Sequence, residues 1–258
     1  MGKRHLLTAY AALGGDSHCL LALRVKRRPY FLAPRFIGLT VEQTGQTRRW
    51  GARWSKAAGD SIAELGREAG YKFNPDAIMS DTMRAHRLVS FFDARGERGE
   101  AVSEALAELY FEEGHPLAAE ATLLEAARRV DETVVEEARQ FLLGEAGQAE
   151  VLGSYLRVLE LGIPSIPCAI LTCAGEAATV HGSASPEHFE LALKKLLRHY
   201  EALPPGAPLP AAHRLAGIFD GIEPSSTPLA QVREAFERDW EAQAAADGGT
   251  EDIIRARM

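Results

Sequence analysis

The chain has 258 residues, 46% of them hydrophobic and 25% charged, which is typical of a globular protein with a sizeable core. No apolar run approaches the roughly 20 residues that span a membrane, and no signal peptide is recognisable, so we expect no membrane partner. The net charge of −7 combines a basic segment over residues 1–60 with an acidic remainder. We interpret the basic segment as a solvated surface, with a mitochondrial presequence and an anion-binding face as alternatives.

The three cysteines, at positions 19, 168 and 173, cannot all pair and lack metal-ligand spacing. This usage fits a reducing compartment, so we predict a cytoplasmic protein, or a mitochondrial one, without a metal or a resident cofactor. A nucleic-acid partner is not expected either, because the basic residues around Arg27 are not interleaved with aromatic residues. The oligomeric state is not predicted.

The first predicted element is a helix from the first residues onward, with apolar residues at Leu6, Leu7, Tyr10 and Leu13. No capping residue precedes it, and Lys3 and Arg4 lie where a helix N-terminus disfavours cations. The start therefore resembles a helix joined partway along. Residues 20–32 predict a strand, and residues 47–69 a long or broken helix with Trp50 and Trp54 in its core.

A block of amphipathic helices follows, beginning after Ser80-Asp81-Thr82, which offer capping oxygens. Further helices are predicted over 100–113, 117–129, 131–142 and 146–160. A strand from Ile166 and a second around Val180 form a hairpin with a turn at Gly175, and Pro186 opens another helix. A proline-rich linker from Leu203 and a helical tail complete the chain.

Four segments, in this order along the chain, resemble the DsbA-like thioredoxin-fold oxidoreductases. Gly2-Lys3-Arg4 is similar to the residues just after that family's Cys-Pro-Trp-Cys motif, and Arg28-Pro29-Tyr30-Phe31-Leu32-Ala33-Pro34 to the end of its second strand. Asp81-Thr82-Met83-Arg84-Ala85-His86-Arg87-Leu88 resembles the Asn-Thr-x-x-Ala-His-Arg-Leu element of its helical insertion. The fourth match comprises Gly162-Ile163-Pro164-Ser165-Ile166-Pro167 and Gly182-Ser183-Ala184-Ser185-Pro186-Glu187.

The resemblance implies an α/β thioredoxin-like fold with a large all-helical insertion, lacking its first strand, and with a C-terminal helical extension. The thioredoxin-like domain would comprise residues 1–45 and 161–202, the insertion 46–160, and the linker and tail 203–258. In that family Pro167 would be cis, and the backbone of Ile166 would pair with a thiol-containing protein or with glutathione. The catalytic cysteine pair would lie upstream of Met1, so we expect the chain as given to be inactive or incomplete.

Four residues are predicted to bind substrate, namely Ile166, Pro167, His86 and Ser183. For His86, a helix histidine that satisfies a local carbonyl is an equally good interpretation. For Ser183 and Ser185, capping of the helix that follows is the preferred role, and holding a glutathione carboxylate is the alternative. Cys19, Cys168 and Cys173 are interpreted as structural thiols, with Cys168 and Cys173 facing opposite sides of their strand.

Three functions follow from the resemblance. The first is a thiol–disulfide oxidoreductase that acts on protein or small-molecule thiols. The second is a glutathione-dependent enzyme similar to 2-hydroxychromene-2-carboxylate isomerase and kappa-class glutathione transferase, in which a serine replaces the first catalytic cysteine. The third is a non-catalytic thioredoxin-like module that binds peptides. The residues immediately upstream of Met1 discriminate between the first two.

Overall fold

A computed structural model describes residues 2–15, 23–32, 34–40, 64, 66–67, 70–74, 77–96, 98–163, 166–182 and 184–204, with a few isolated positions between 225 and 238. The chain divides into two compact units. The hairpin unit comprises residues 1–24, 157–222 and 249–258, and the helical unit comprises residues 25–156 and 223–248. Each unit is treated by itself below.

The hairpin unit is built on two antiparallel strands, β1 (Cys168–Cys173) and β2 (Glu176–His181). Their register places Cys168 opposite His181 and Cys173 opposite Glu176. The two-residue turn between them has positive φ at Ala174 (45°) and at Gly175 (87°), as a tight hairpin with right-handed strand twist requires.

Two helices, α1 (Gly2–Ala12) and α7 (Pro186–Glu201), share a core with this hairpin; α7 packs on both strands, and α1 packs on α7. Every second side chain of each strand faces the helices, and the apolar residues of each helix, spaced three or four apart, lie on one face of that helix. The resulting core contains Leu6, Ala9, Leu171, Val180, Phe189 and Leu196. Burial of each of its large apolar side chains stabilises the unit by about 1.5–3 kcal/mol.

The helical unit contains α2 (Met83–Asp93), α3 (Gly99–Ala107), α4 (Glu120–Val130) and α5 (Val135–Leu143). A π-helical turn, Glu108–Glu112, continues α3, and a 3-10 turn, Glu132–Val134, precedes α5. Another helix, α6, spans Gln148–Glu160. The largest core cluster comprises Ala85, Leu88, Phe91, Phe92, Val102, Ala105, Leu106, Leu109, Leu123, Ala126, Ala127, Ala138 and Leu142.

The predicted helices of the central block, the hairpin with its turn and the helix from Pro186 are confirmed. The predicted strand over 20–32 is wrong for its described part, because residues 23–32 have no regular hydrogen-bonded structure. A strand needs a neighbour, and among the described residues β1 and β2 pair only with each other. The predicted helix over 47–69, with Trp50 and Trp54, and the predicted tail lie almost wholly outside the described residues, as does Cys19.

None of the helices in the described part of the chain is long and apolar enough to cross a membrane.

Candidate functional site

The N-terminus of α1 lies against the loop that precedes β1. A Cβ atom placed on Gly2 would be 3.5 Å from Cγ and 3.6 Å from Cβ of Pro167, which is ordinary van der Waals distance. The Ile166–Pro167 peptide bond is cis. Pro167 is exposed and Ile166 is half-buried, so this face of the hairpin unit is open to solvent. The structure thus brings two predicted binding residues to the start of the first helix.

The loop is also tied to the segment that follows β2. The N–H of Gly182 donates a hydrogen bond to the carbonyl oxygen of Pro167 at 2.8 Å, which extends the hairpin ladder by one pair. Within the described part of the chain, no residue hydrogen bonds to the backbone of Ile166. Its N–H and C=O are therefore left for a group from outside these residues.

A third connection joins α1 to the segment before α7. Nδ1 of His5 lies 2.8 Å from the carbonyl oxygen of Ala184, a separation of 179 positions along the chain. Since the carbonyl can only accept, the imidazole is the donor. No sequence pattern singled out His5, because nothing local indicates a partner so distant.

Within the described residues α1 begins at Gly2, and a helix N-terminus has the electrostatics of an anion-binding site. The first N–H groups of a helix have no partner within the helix, and its dipole adds a partial positive charge there. The first turn of α1 contains no acidic residue that would offset this charge. A thiolate placed beside Gly2 would be stabilised, which lowers the pKa of such a thiol.

The two described cysteines do not provide such a thiolate. Cys168 and Cys173 are both half-buried and form no disulfide. Burial raises the pKa of the Cys168 thiol, although this residue directly follows Pro167, so at neutral pH it stays protonated and a poor nucleophile. Cys173 packs against the core on the side of the hairpin that faces α1 and α7. Because Cys168 and Cys173 are five residues apart on β1, Cys168 faces the opposite side.

Comparison with known proteins identifies the family. A model described as a DSBA-like thioredoxin domain matches residues 17–194, more than half of the chain. The chain belongs to this family. A crystal structure of a probable DsbA oxidoreductase from Streptomyces coelicolor is similar with a TM-score of 0.61 and 19% identity, covering 81% of this chain and 88% of that chain. Among curated proteins there is no match.

The fold is therefore the thioredoxin-like DSBA fold with a helical insertion, as the four sequence motifs indicated. This DSBA-like family is of the thiol–disulfide oxidoreductase type. Within the described residues, no three or more His, Cys, Asp or Glu side chains are grouped so that they could hold a metal ion.

In this DSBA-like chain His86 lies on α2 in the helical unit, packed edge-on against Phe31 with ring centroids 5.1 Å apart. Its ring hydrogen bonds to the backbone of Tyr30, and burial lowers its pKa from 6.5 to about 4, so the imidazole is neutral at pH 7. Nε2 is buried and has no hydrogen-bond partner among the described residues. Tyr155 completes the surroundings, since its ring packs on Phe31 and its hydroxyl donates to the Phe31 carbonyl.

The capping predictions hold in part. Asp81 Oδ1 accepts the Met83 N–H at 2.9 Å at the start of α2, whereas Thr82, in the N-cap position, makes no side-chain cap bond. Ser185 is the N-cap residue of α7, but its hydroxyl lies 3.0 Å from Nδ1 of His188 and caps no backbone amide, so the predicted capping role was wrong. A side-chain partner three residues along a helix competes with the amide. Ser183 lies outside the described residues.

Proposed function

We propose that this chain supplies the substrate-binding face of a thiol–disulfide oxidoreductase that acts on protein thiols or on small thiols such as glutathione. The observation that carries the proposal is the position of Gly2 at the start of α1, where a Cβ atom would lie in van der Waals contact with exposed Pro167. An extended substrate can pair with the backbone of Ile166 there, while a thiolate at the helix terminus attacks its disulfide.

The exchange reaction needs two thiols in sequence. A thiolate attacks one sulfur of the substrate disulfide, the S–S bond breaks, and the other sulfur leaves as a thiolate; a second thiol then resolves the mixed disulfide. The sequence of 258 residues contains no Cys-x-x-Cys, and the raised pKa of Cys168 disfavours it as the attacking group. We propose that a Cys-Pro-x-Cys upstream of Met1 supplies both thiols and that the 258 residues alone do not turn over.

The first test measures binding and needs no turnover. A cysteine-containing extended peptide, and separately glutathione, is titrated into the 258-residue chain by calorimetry. Binding is expected, with at least about a tenfold loss of affinity for the peptide in Pro167→Ala. Pro116→Ala in the helical unit is the matched control and leaves the affinity unchanged. Equal affinities in all three chains would contradict the proposed binding face.

The second test concerns chemistry. Insulin reduction is measured with the 258-residue chain and with a chain extended in frame by its upstream coding sequence. The proposal expects turnover only when the extension contains a Cys-Pro-x-Cys upstream of Met1. Turnover by the 258-residue chain itself would contradict the assignment of the thiols, and an extension without that motif would contradict the proposed reaction.

A non-catalytic peptide-binding module is the second candidate, favoured by the lack of Cys-x-x-Cys within these residues and by the unactivated Cys168. It expects the same peptide affinity as the first candidate and no insulin reduction in either chain. The pair of experiments therefore separates the two.

His86 and Ser183 stay predicted substrate-binding residues. A neutral imidazole that donates through one nitrogen accepts through the other, and Nε2 of His86 is buried without a hydrogen-bond partner among the described residues. His86→Phe keeps the ring packing on Phe31 and removes the acceptor. Under this proposal it weakens peptide binding, and an unchanged affinity would contradict the assignment.

A further inference from the structure

We infer that His5 is a positioning residue of this site: its hydrogen bond to Ala184 fixes the N-terminus of α1 against the loop at Pro167. The chemistry of this inference rests on the proposed function, whereas its geometry does not. His5 lies three residues after Gly2, so both project from the same side of the helix. A Cβ atom on Gly2 would lie in van der Waals contact with Pro167, and one turn later the imidazole of His5 donates to the Ala184 carbonyl.

These contacts form a closed circuit. Pro167 lies beside the start of α1, and its carbonyl accepts a hydrogen bond from the N–H of Gly182. Two residues after Gly182, the carbonyl of Ala184 accepts a hydrogen bond from His5 of α1. The packing of Leu6 and Ala9 in the core sets the general position of α1, and the His5 bond adds a directional attachment in its first turn. Loss of the His5 bond leaves the first turn held only by apolar packing, so its orientation beside Pro167 is less well fixed.

The bond of His5 also connects the starts of two helices. Ala184, which accepts from His5, directly precedes Ser185, the N-cap residue of α7. His5 therefore joins the first turn of α1 to the beginning of α7.

The consequence concerns any thiolate at the helix terminus. Its stabilisation depends on distance to the first N–H groups, and displacements of about 1 Å can cost a reacting group about a hundredfold in rate. By holding α1 in register, His5 is expected to keep a thiolate close to both the helix amides and the substrate backbone at Ile166.

A reporter cysteine tests this without catalysis. Gly2→Cys places a thiol where the structure leaves ordinary contact distance to Pro167. The rate of its alkylation by iodoacetamide is followed against pH by mass spectrometry of the digested chain, with Cys168 and Cys173 as internal references. In the Gly2→Cys background, His5→Leu is expected to slow alkylation at about pH 7 at least roughly threefold and to raise the midpoint of the pH profile.

Two matched variants separate positioning from other effects. His5→Asn offers an N–H donor near the place of Nδ1 without the imidazole ring, and its alkylation rate should stay within about twofold of the parent. His199 makes the same kind of bond, from Nε2 to the Ala174 carbonyl at 3.2 Å, at the far end of α7. His199→Leu should leave the Gly2→Cys profile unchanged.

If alkylation slows equally in His5→Asn and His5→Leu, the N–H donor of His5 is not the cause. If it slows equally in His199→Leu, the cause is a general loosening of the unit. Either result overturns the inference, as does an unchanged alkylation rate in His5→Leu. If His5→Leu does not fold, nitrogen-edited NMR of the unsubstituted chain decides. A slowly exchanging Nδ1–H of His5 is expected, and its absence overturns the inference. Because no readout uses turnover, failure of the proposed oxidoreductase activity remains distinguishable.

Discussion

The guanidinium of Arg87 donates a hydrogen bond to the carbonyl oxygen of Gly144 at 2.6 Å. The same side chain donates to the carbonyls of Phe141, at 2.7 Å, and Ala146, at 2.8 Å. Arg87 is only 3% exposed, so a cation inside the helical unit is satisfied by carbonyls at the end of α5 and just beyond it. Helix ends leave such carbonyls without partners in the helix, and Arg87 provides them.

Arg87→Met is expected to destabilise the helical unit by about 2–4 kcal/mol, because three carbonyls lose their donors while the apolar volume is kept. The stability of Arg87→Lys should lie between those of the parent and Arg87→Met, because a single ammonium group cannot donate to all three oxygens as the planar guanidinium does. Urea denaturation followed by circular dichroism measures the difference.

Arg128→Met is the control for the loss of an arginine as such. Arg128 pairs with Glu125 on the exposed face of α4 at 2.5 Å, and such surface pairs contribute only about 0–1 kcal/mol. Similar losses for Arg87→Met and Arg128→Met would contradict the structural role of Arg87.

His86 predicts a stability loss in acid. Its pKa in the folded chain, about 4, lies below the ordinary 6.5, so the folded state resists protonation. Its contribution is complete above about pH 6.5 and falls as the pH is lowered towards about 4, by about 3 kcal/mol over that interval.

The control is His86→Asn, which can still donate to the Tyr30 backbone but does not titrate. The parent chain should lose stability relative to His86→Asn between about pH 7 and about pH 4, as measured by urea denaturation at several pH values. Parallel pH profiles for the two chains would show that the imidazole is not held neutral.

Asp81 predicts a dependence of the opposite sign. Its carboxylate oxygens accept the N–H groups of Met83 and Gly38, yet burial is the larger influence and raises its pKa. Folding therefore favours the protonated form. The resulting stability is present below the ordinary pKa of about 3.9 and is lost as the pH rises through the folded value.

Relative to Asp81→Asn, the parent should be more stable at about pH 4 than at about pH 7. Asp131 is the matched contrast, because the Thr133 hydroxyl and Arg98 lower its pKa. Relative to Asp131→Asn, the parent should keep its advantage between about pH 4 and about pH 7 and lose it only as the pH falls below about 3.9. A loss of that advantage on raising the pH from about 4 to about 7 would contradict the assignment of Asp131.

The sequence predicted what depends on local pattern. Apolar spacing located the helices of the central block, and Gly175 marked the turn because its conformation requires φ that glycine adopts easily. The Pro167 loop was found from motif order. The strand expected over 20–32 was not formed by residues 23–32, because pairing depends on a neighbour and not on β-branched content.

The contacts that complete the site were missed for a related reason. His5 reaches Ala184, and Arg87 reaches Gly144, across separations that periodicity does not encode. The capping hydroxyl predicted at Ser185 instead bonds His188, since a local side chain offered a competing partner. Propensity identifies which groups need partners, and tertiary packing decides which partners they receive.

The β1–β2 turn gives the last prediction. Ala174 has a φ of 45°, a conformation that costs a residue with a Cβ about 1–2 kcal/mol and that Asn tolerates better. Ala174→Asn is therefore expected to stabilise the hairpin unit by about 0.5–1 kcal/mol, as measured by thermal and urea denaturation. The bond from His199 to the Ala174 carbonyl involves only the backbone at position 174 and is retained.

Ala177→Asn, in the middle of β2, is the control and should be neutral or destabilising, because Asn is disfavoured in strands. Destabilisation by Ala174→Asn with no effect of Ala177→Asn would contradict the left-handed conformation at this turn.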